Sequence, residues 1–164
     1  MSPGALYRYF RSKDEIIQAI ADADRDRNRA ILTQGCDGVG FIDRTVHIAL
    51  TFLREMARPG AAALLAEVMS ECLRNSAIGN RFRENERECR AFFRQSMEEA
   101  VASGEIEAVA DFDATMSCLM ATGEGLVFRM AFDPSLTIDQ VEPVLRLMAL
   151  ALFKPAAPSG GNFT

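Results

Sequence analysis

Histidine is nearly absent: the 164 residues contain one, His47. A di-iron bundle needs a Glu-x-x-His motif on each of two helices, so it cannot be assembled here, and a Ser-His-Asp triad has this single base to draw on. The helical neighbours of His47 are the polar Thr51, Arg54 and Arg58, while Val46, Leu50 and Leu53 form the apolar side, which places the imidazole on an exposed face. The four cysteines, Cys36, Cys72, Cys89 and Cys118, form no C-x-x-C pair. That spacing suggests neither a zinc knot nor a thioredoxin-type site, and they read as small buried residues with free thiols. No run approaches the roughly 18 apolar residues of a membrane span, and the N-terminus has no basic-then-apolar export signal, so the expectation is a cytoplasmic protein without membrane contact. Positive charge is not in excess. With 18 Lys and Arg against 23 Asp and Glu, the net charge of -5 excludes a protein that coats nucleic acid by bulk charge, while leaving room for a local basic patch. Residues 1–33 carry six basic and five acidic side chains, so the acidity lies downstream. Gly35, Gly38 and Gly40 follow no strand and no Gly-Lys-Ser/Thr closes them, so they read as a turn and not a phosphate loop. Without a base, a metal set or a cofactor loop, the chain is expected to be no enzyme and to need no cofactor.

What is present is helix. Apolar residues make up 49% of the chain and recur at three- and four-residue spacing, while alternating β-branched runs are missing, so the fold class is all-α. Ser2-Pro3 starts a short helix ending near Phe10. Ser12-Lys13-Asp14-Glu15 is a capping box, in which the Ser12 hydroxyl accepts the Glu15 N–H and the Glu15 carboxylate reaches back to the Ser12 N–H. The long helix that follows should bury Ile16, Ile17, Ile20 and Ile31. Further helices are expected from Ile42 or Asp43 to about Arg58, from Pro59-Gly60 to about Arg74, from Ser76 to Ala102, from Phe112 to Phe132 and from Ile138 to Phe153. Pro143 implies that the last of these either starts late, with Asp139 and Glu142 as its capping pair, or bends. The Pro/Gly/Ser-rich residues 154–164 read as a disordered tail.

The opening stretch carries the strongest signal. Leu6 and Phe10 face inward together, leaving Gly4, Ala5, Tyr7, Arg8 and Tyr9 toward the helix end and outside. Small residues at a helix start admit close approach, and tyrosine hydroxyls, arginine and free N–H groups are phosphate and base-edge donors. Lys13 opposes the macrodipole of the next helix, a placement that makes sense if it holds a DNA phosphate there. The stretch "SPGALYRYFRSKDEIIQAIAD" resembles the recognition helix and following helix of the TetR family of bacterial transcriptional repressors, with Leu6-Tyr7, Tyr9-Phe10 and Ser12-Lys13 in register. The resemblance implies phosphate contacts from Tyr7, Tyr9 and Lys13, with Ser2 as the helix start. Pro3, Gly4, Ala5 and Arg8 would then occupy base-reading or close-approach positions. Family members carry two further helices before this point, about 30 to 45 residues that complete the DNA-binding unit, where this chain has Met1. The natural protein is therefore expected to be longer.

By the resemblance, residues 1–35 are a partial helix-turn-helix and residues 36–153 a helical regulatory domain that holds an inducer and forms a homodimer through its last two helices. The residues permit this independently. Phe112, Met116, Leu119, Met120, Gly123, Leu126, Val127 and Met130 make a broad stripe, Gly123 and Gly125 admit a close helix, and Val141, Val144, Leu145, Leu147, Met148, Ala151 and Leu152 extend the surface. Met56, Met69, Phe92, Phe93, Met97, Met120 and Phe128 are candidate walls of an adaptable ligand pocket. Glu124, with Glu67 and Glu71, lies by an apolar face where it could meet a cationic inducer. The expected function is a ligand-responsive repressor that, in the longer form, binds operator DNA and releases it when a small-molecule inducer binds. The alternative is a helical dimer that binds a small molecule or partner subunit without binding DNA.

Overall fold

The computed structural model describes residues 9–33 and 38–156, Lys13 by its backbone alone. The described residues form six helices: α1 (Lys13–Thr33), α2 (Phe41–Met56), α3 (Ala61–Arg74), α4 (Ser76–Ala102), α5 (Phe112–Phe132) and α6 (Ile138–Leu152). The all-α expectation holds, since extended pairing among the described residues is limited to one bridge between Ile106 and Pro155.

The helix ends follow from local chemistry. At the start of α1, the Glu15 N–H donates to Ser12 Oγ at 3.1 Å. The return bond differs from the expected one: the Glu15 carboxylate accepts from the Arg11 N–H at 2.6 Å, one residue further back, where another donor lacks an intrahelical carbonyl. α2 begins earlier than its sequence suggests because tertiary partners start it. The Phe41 ring packs edge-on against Phe153, with centroids 4.9 Å apart, and the Phe41 N–H donates to Glu105 Oε1. Asn75 ends α3 and caps α4, its Oδ1 accepting from the N–H groups of Ala77 and Ile78. α4 stops at Gly104, whose φ of +75° suits glycine. Asp111 caps α5 by accepting the Ala114 N–H at 2.9 Å. In α6 the cap is Thr137, with Gln140 Oε1 accepting its N–H at 2.9 Å. This replaces the Asp139 and Glu142 pair, and the helix does not start late: Pro143 lies inside it on an exposed face.

α2 is the central element, packing on α6, α5, α4 and α1. The largest buried cluster joins Phe41, Val46 and Leu50 of α2 to Met97 and Ala100 of α4, Phe112 and Met116 of α5, and Ala149 and Phe153 at the end of α6. A second joins Leu53 and Met56 to Val127 and Val141, and a third joins Ile31 and Leu32 of α1 to Ile48. His47 lies opposite this core and is exposed, as its neighbours imply. On α1, Ile17 and Ile31 are buried as expected, but Ile16 and Ile20 are half-buried, because Ala21 turns inward toward α4. Residues 154–156 depart from the expectation of a disordered tail. The Glu107 N–H donates to the Lys154 carbonyl and the Ala156 N–H to the Glu105 carbonyl, at 2.9 and 3.1 Å, next to the buried anchor Phe153. Residues 157–164 lie outside the described residues.

The stripes on α5 and α6 are buried only in part. Phe112, Met116, Val127, Val141 and Ala149 are enclosed, whereas Val144, Leu147, Ala151 and Leu152 stay exposed, Leu147 at 66%. Gly123 receives a neighbour within the chain, since a Cβ there would lie 3.7 Å from the Phe52 ring of α2, while Gly125 faces open space.

Candidate functional site

α1 and α4 face each other along two rows of the same spacing: Arg25, Asn28, Arg29 and Leu32 on α1, and Asn85, Glu88, Cys89 and Phe92 on α4. Positions i, i+3, i+4 and i+7 lie on one side of a helix, so each row forms a continuous strip. The small Ala21 lets the helices approach, and Asn85, only 9% exposed, donates from Nδ2 to the Ala21 carbonyl at 2.9 Å. Asparagine is a poor former of helix interiors, and the cross-helix bond is what a buried amide at this place requires. Beside it, Glu88 accepts from Arg25 Nε at 3.0 Å and from Arg29 Nη2 at 3.2 Å, while Arg81 pairs with Asp22 at 3.3 Å. The hydrogen bond from Arg25 holds the Glu88 carboxyl below the usual carboxylate range. One turn away, burial raises Asp24 against the opposing pull of Arg27 and Asn28.

Between the rows lies a cavity of about 160 Å³. Leu32, Cys89 and Phe92 give it an apolar floor, Asn85, Asn28 and Thr33 supply neutral polar groups, and Arg25, Arg29 and Glu88 form the rim. Burial, aided by the charges of Asp24, Glu88 and Glu86, pushes the Cys89 thiol up to about 11, so it is protonated at neutral pH. A larger groove of about 340 Å³ between α2 and α6 is walled mostly by charged side chains, with Arg146 paired to Asp43. An apolar floor with a few directed polar groups is the commoner form of a small-molecule site, which singles out the α1–α4 cavity.

Of the wall residues suggested by sequence, Phe92 lies on this cavity. Met56 is packed in the second cluster, Met97 in the largest, and Phe93 and Met120 pack against the largest. Met69 and Phe128 are half-buried. Glu124 is half-buried, and desolvation together with the charge of Glu86 raises its pKa. Glu71 pairs with Arg74 and Glu67 is exposed. Of the N-terminal residues, Tyr9 is 79% exposed. Lys13 opens α1, and Ser2, Pro3, Gly4, Ala5, Tyr7 and Arg8 lie outside the described residues. Sequence reasoning missed Arg25, Asn28, Asn85 and Glu88. The signal available was the pair of rows with the same i, i+3, i+4, i+7 spacing and an asparagine among charged neighbours.

Comparison with known proteins agrees with this architecture. Residues 45–148 match the family described as "Tetracyclin repressor-like, C-terminal domain". The HTH-type transcriptional regulator UidR of Escherichia coli K12 is 33% identical over 106 residues, 65% of this chain and 53% of that protein, and UidR of Shigella flexneri matches equally. The chain thus spans about half the length of the curated relatives it matches. Among solved structures, Salmonella enterica GusR superposes with a TM-score of 0.74 at 28% identity, covering 94% of this chain and 79% of that one. A TetR-family structure from Rhodococcus sp. has a TM-score of 0.72 at 21% identity over 94% of this chain and 82% of that one, a likeness of fold.

Proposed function

This chain belongs to the TetR family of transcriptional regulators, and from that premise we propose that it is a ligand-responsive repressor, dimeric through α5 and α6, that releases operator DNA when a small molecule occupies the α1–α4 cavity. The observation that carries the reading is the seam itself. α1 follows the N-terminal motif and meets α4 through Ile31 and Leu32 on Cys89, Phe92 and Phe93, one buried hydrogen bond and a few ion pairs, with the cavity set into the same contact. A ligand that fits better when α1 sits differently on α4 must weaken DNA binding in proportion to that preference. The exposed row Val144, Leu147 and Ala151 on α6, together with the open position at Gly125 on α5, supports pairing with the same surfaces of a second copy.

In this reading Tyr7, Tyr9 and Lys13 hold phosphates, while Arg8 and the helix start at Ser2, Pro3, Gly4 and Ala5 approach the bases. The test is selection of bound sequences from random DNA by the natural full-length protein, followed by binding of its Tyr7→Phe and Arg8→Ala variants to the recovered site and to unrelated DNA. The expected result is a palindrome with half-sites about 34–36 Å apart, a loss on all DNA for Tyr7→Phe, and a relaxed sequence preference for Arg8→Ala. Equal loss on both DNAs for both variants would overturn the division of roles, and failure to enrich any sequence would overturn the repressor reading.

A further inference from the structure

The α1–α4 cavity also constrains what enters it, and this inference rests on the cavity being the inducer site. We infer that the ligand is a neutral single-ring compound carrying one hydroxyl, of the phenol class, with its ring on Leu32 and Phe92 and its O–H donated to Asn85 Oδ1. Size is the first argument. A cleft of about 160 Å³, open along its charged rim, has room for one ring and is well below the 300 Å³ or more of drug-sized sites. The second argument is hydrogen-bond valence. Asn85 spends Nδ2 on the Ala21 carbonyl, and among the described residues its Oδ1 makes no hydrogen bond although the side chain lines the cavity. An open acceptor beside an apolar floor selects a ligand with a donor, and a phenolic hydroxyl, protonated up to about pH 10, is one. Charge is the third. Both rim arginines are already engaged by Glu88, so an anionic ligand has to break those pairs and approach the Glu88 carboxylate, while a cation meets two guanidinium groups.

The test titrates phenol, toluene and benzoate into the full chain by calorimetry, with Cys89→Phe to fill the floor and Phe92→Ala to enlarge it. Phenol is expected to bind about tenfold or more tightly than either comparator, because toluene leaves the Asn85 acceptor unpaired and benzoate meets Glu88. Cys89→Phe should abolish phenol binding, and Phe92→Ala should shift preference toward a two-ring naphthol. Should Cys89→Phe not fold, the naphthol shift in Phe92→Ala decides. Absent phenol binding, tighter binding of benzoate or toluene, or indifference to the cavity variants overturns the inference. Operator affinity with and without phenol is read separately: phenol binding that leaves DNA affinity unchanged keeps the ligand class and removes the inducer role, whereas release of DNA by an unrelated compound with no phenol binding does the reverse.

Discussion

Asn85 on α4 and Glu124 on α5 show how the groups a partly enclosed polar residue faces decide its fate. Asn85 finds the Ala21 carbonyl and serves as a cross-helix tie, whereas Glu124 is half-buried toward another carboxylate, Glu86, whose own cation is Arg90. Desolvation and Glu86 raise the Glu124 pKa above its ordinary 4.5, so the folded protein takes up that proton at higher pH than the unfolded chain does. The ionised carboxylate therefore costs stability above the folded pKa, and the cost fades as pH falls through it toward 4.5. Glu124→Gln should melt above wild type at pH 7, by less than about 1 kcal/mol given the exposure. The difference should close in melts taken below pH 4.5, and a gap independent of pH would contradict the assignment. Gly79 presents the opposite balance. Alanine inside a helix ordinarily gains up to about 1 kcal/mol over glycine, but a Cβ at Gly79 would sit 2.7 Å from the Cys72 carbonyl oxygen, which is backbone and cannot swing aside. The clash outweighs the propensity, and Gly79→Ala should destabilise by about 1–3 kcal/mol in urea denaturation.

Among the elements, the contact of α1 with α4 joins a small apolar cluster to a polar seam. α1 contributes Ile31 and Leu32 to a small cluster with Ile48 of α2 and Cys89, Phe92 and Phe93 of α4, and its polar ties to α4 are the Asn85 bond, exposed ion pairs centred on Glu88 and the Arg81–Asp22 pair. Glu88→Gln should leave the melting temperature of the body close to wild type while accelerating amide exchange along α1, as read by hydrogen-exchange mass spectrometry. Equal acceleration in α2 would mean that the seam is not a separable unit. Most element boundaries were legible in sequence because their punctuation is local: Pro59-Gly60 before α3, Gly104 after α4 and Asp133-Pro134 after α5 each stop a helix by backbone chemistry. Boundaries set from afar were not. The start of α2 depends on Phe153 and Glu105, and the ordering of residues 154–156 depends on the 105–107 segment. The cavity was hidden for the same reason. A stripe reveals that a helix buries one side, but which helix it meets is settled by the crossing, so methionines and phenylalanines that fill cores look the same in sequence as those that line a void. The polar rows on α1 and α4 acquire meaning once they are opposed.

At the scale of the whole molecule, the outer face of α6 is the largest departure from a self-contained body. Val144, Leu147 and Ala151 recur at helical spacing with no cover among the described residues, and Phe132 at the end of α5 is 85% exposed. Leu147→Glu should convert a dimer of twice the 18.0 kDa chain mass into monomer in sedimentation experiments, without loss of helical circular dichroism. An unchanged mass would move the interface elsewhere. The central packing of α2 on α6, closed by the Phe41 and Phe153 rings, has a temporal side as well. Helical proteins fold quickly when neighbours in sequence pack together, and the hairpin of α3 and α4 meets that condition. The α2–α6 contact must instead draw together segments separated by most of the described chain, a loop closure whose entropy cost precedes any reward. Refolding should therefore pass through a stage in which helices exist and the α6 row is uncovered on both sides, the moment at which a crowded solution of this protein is most prone to clump.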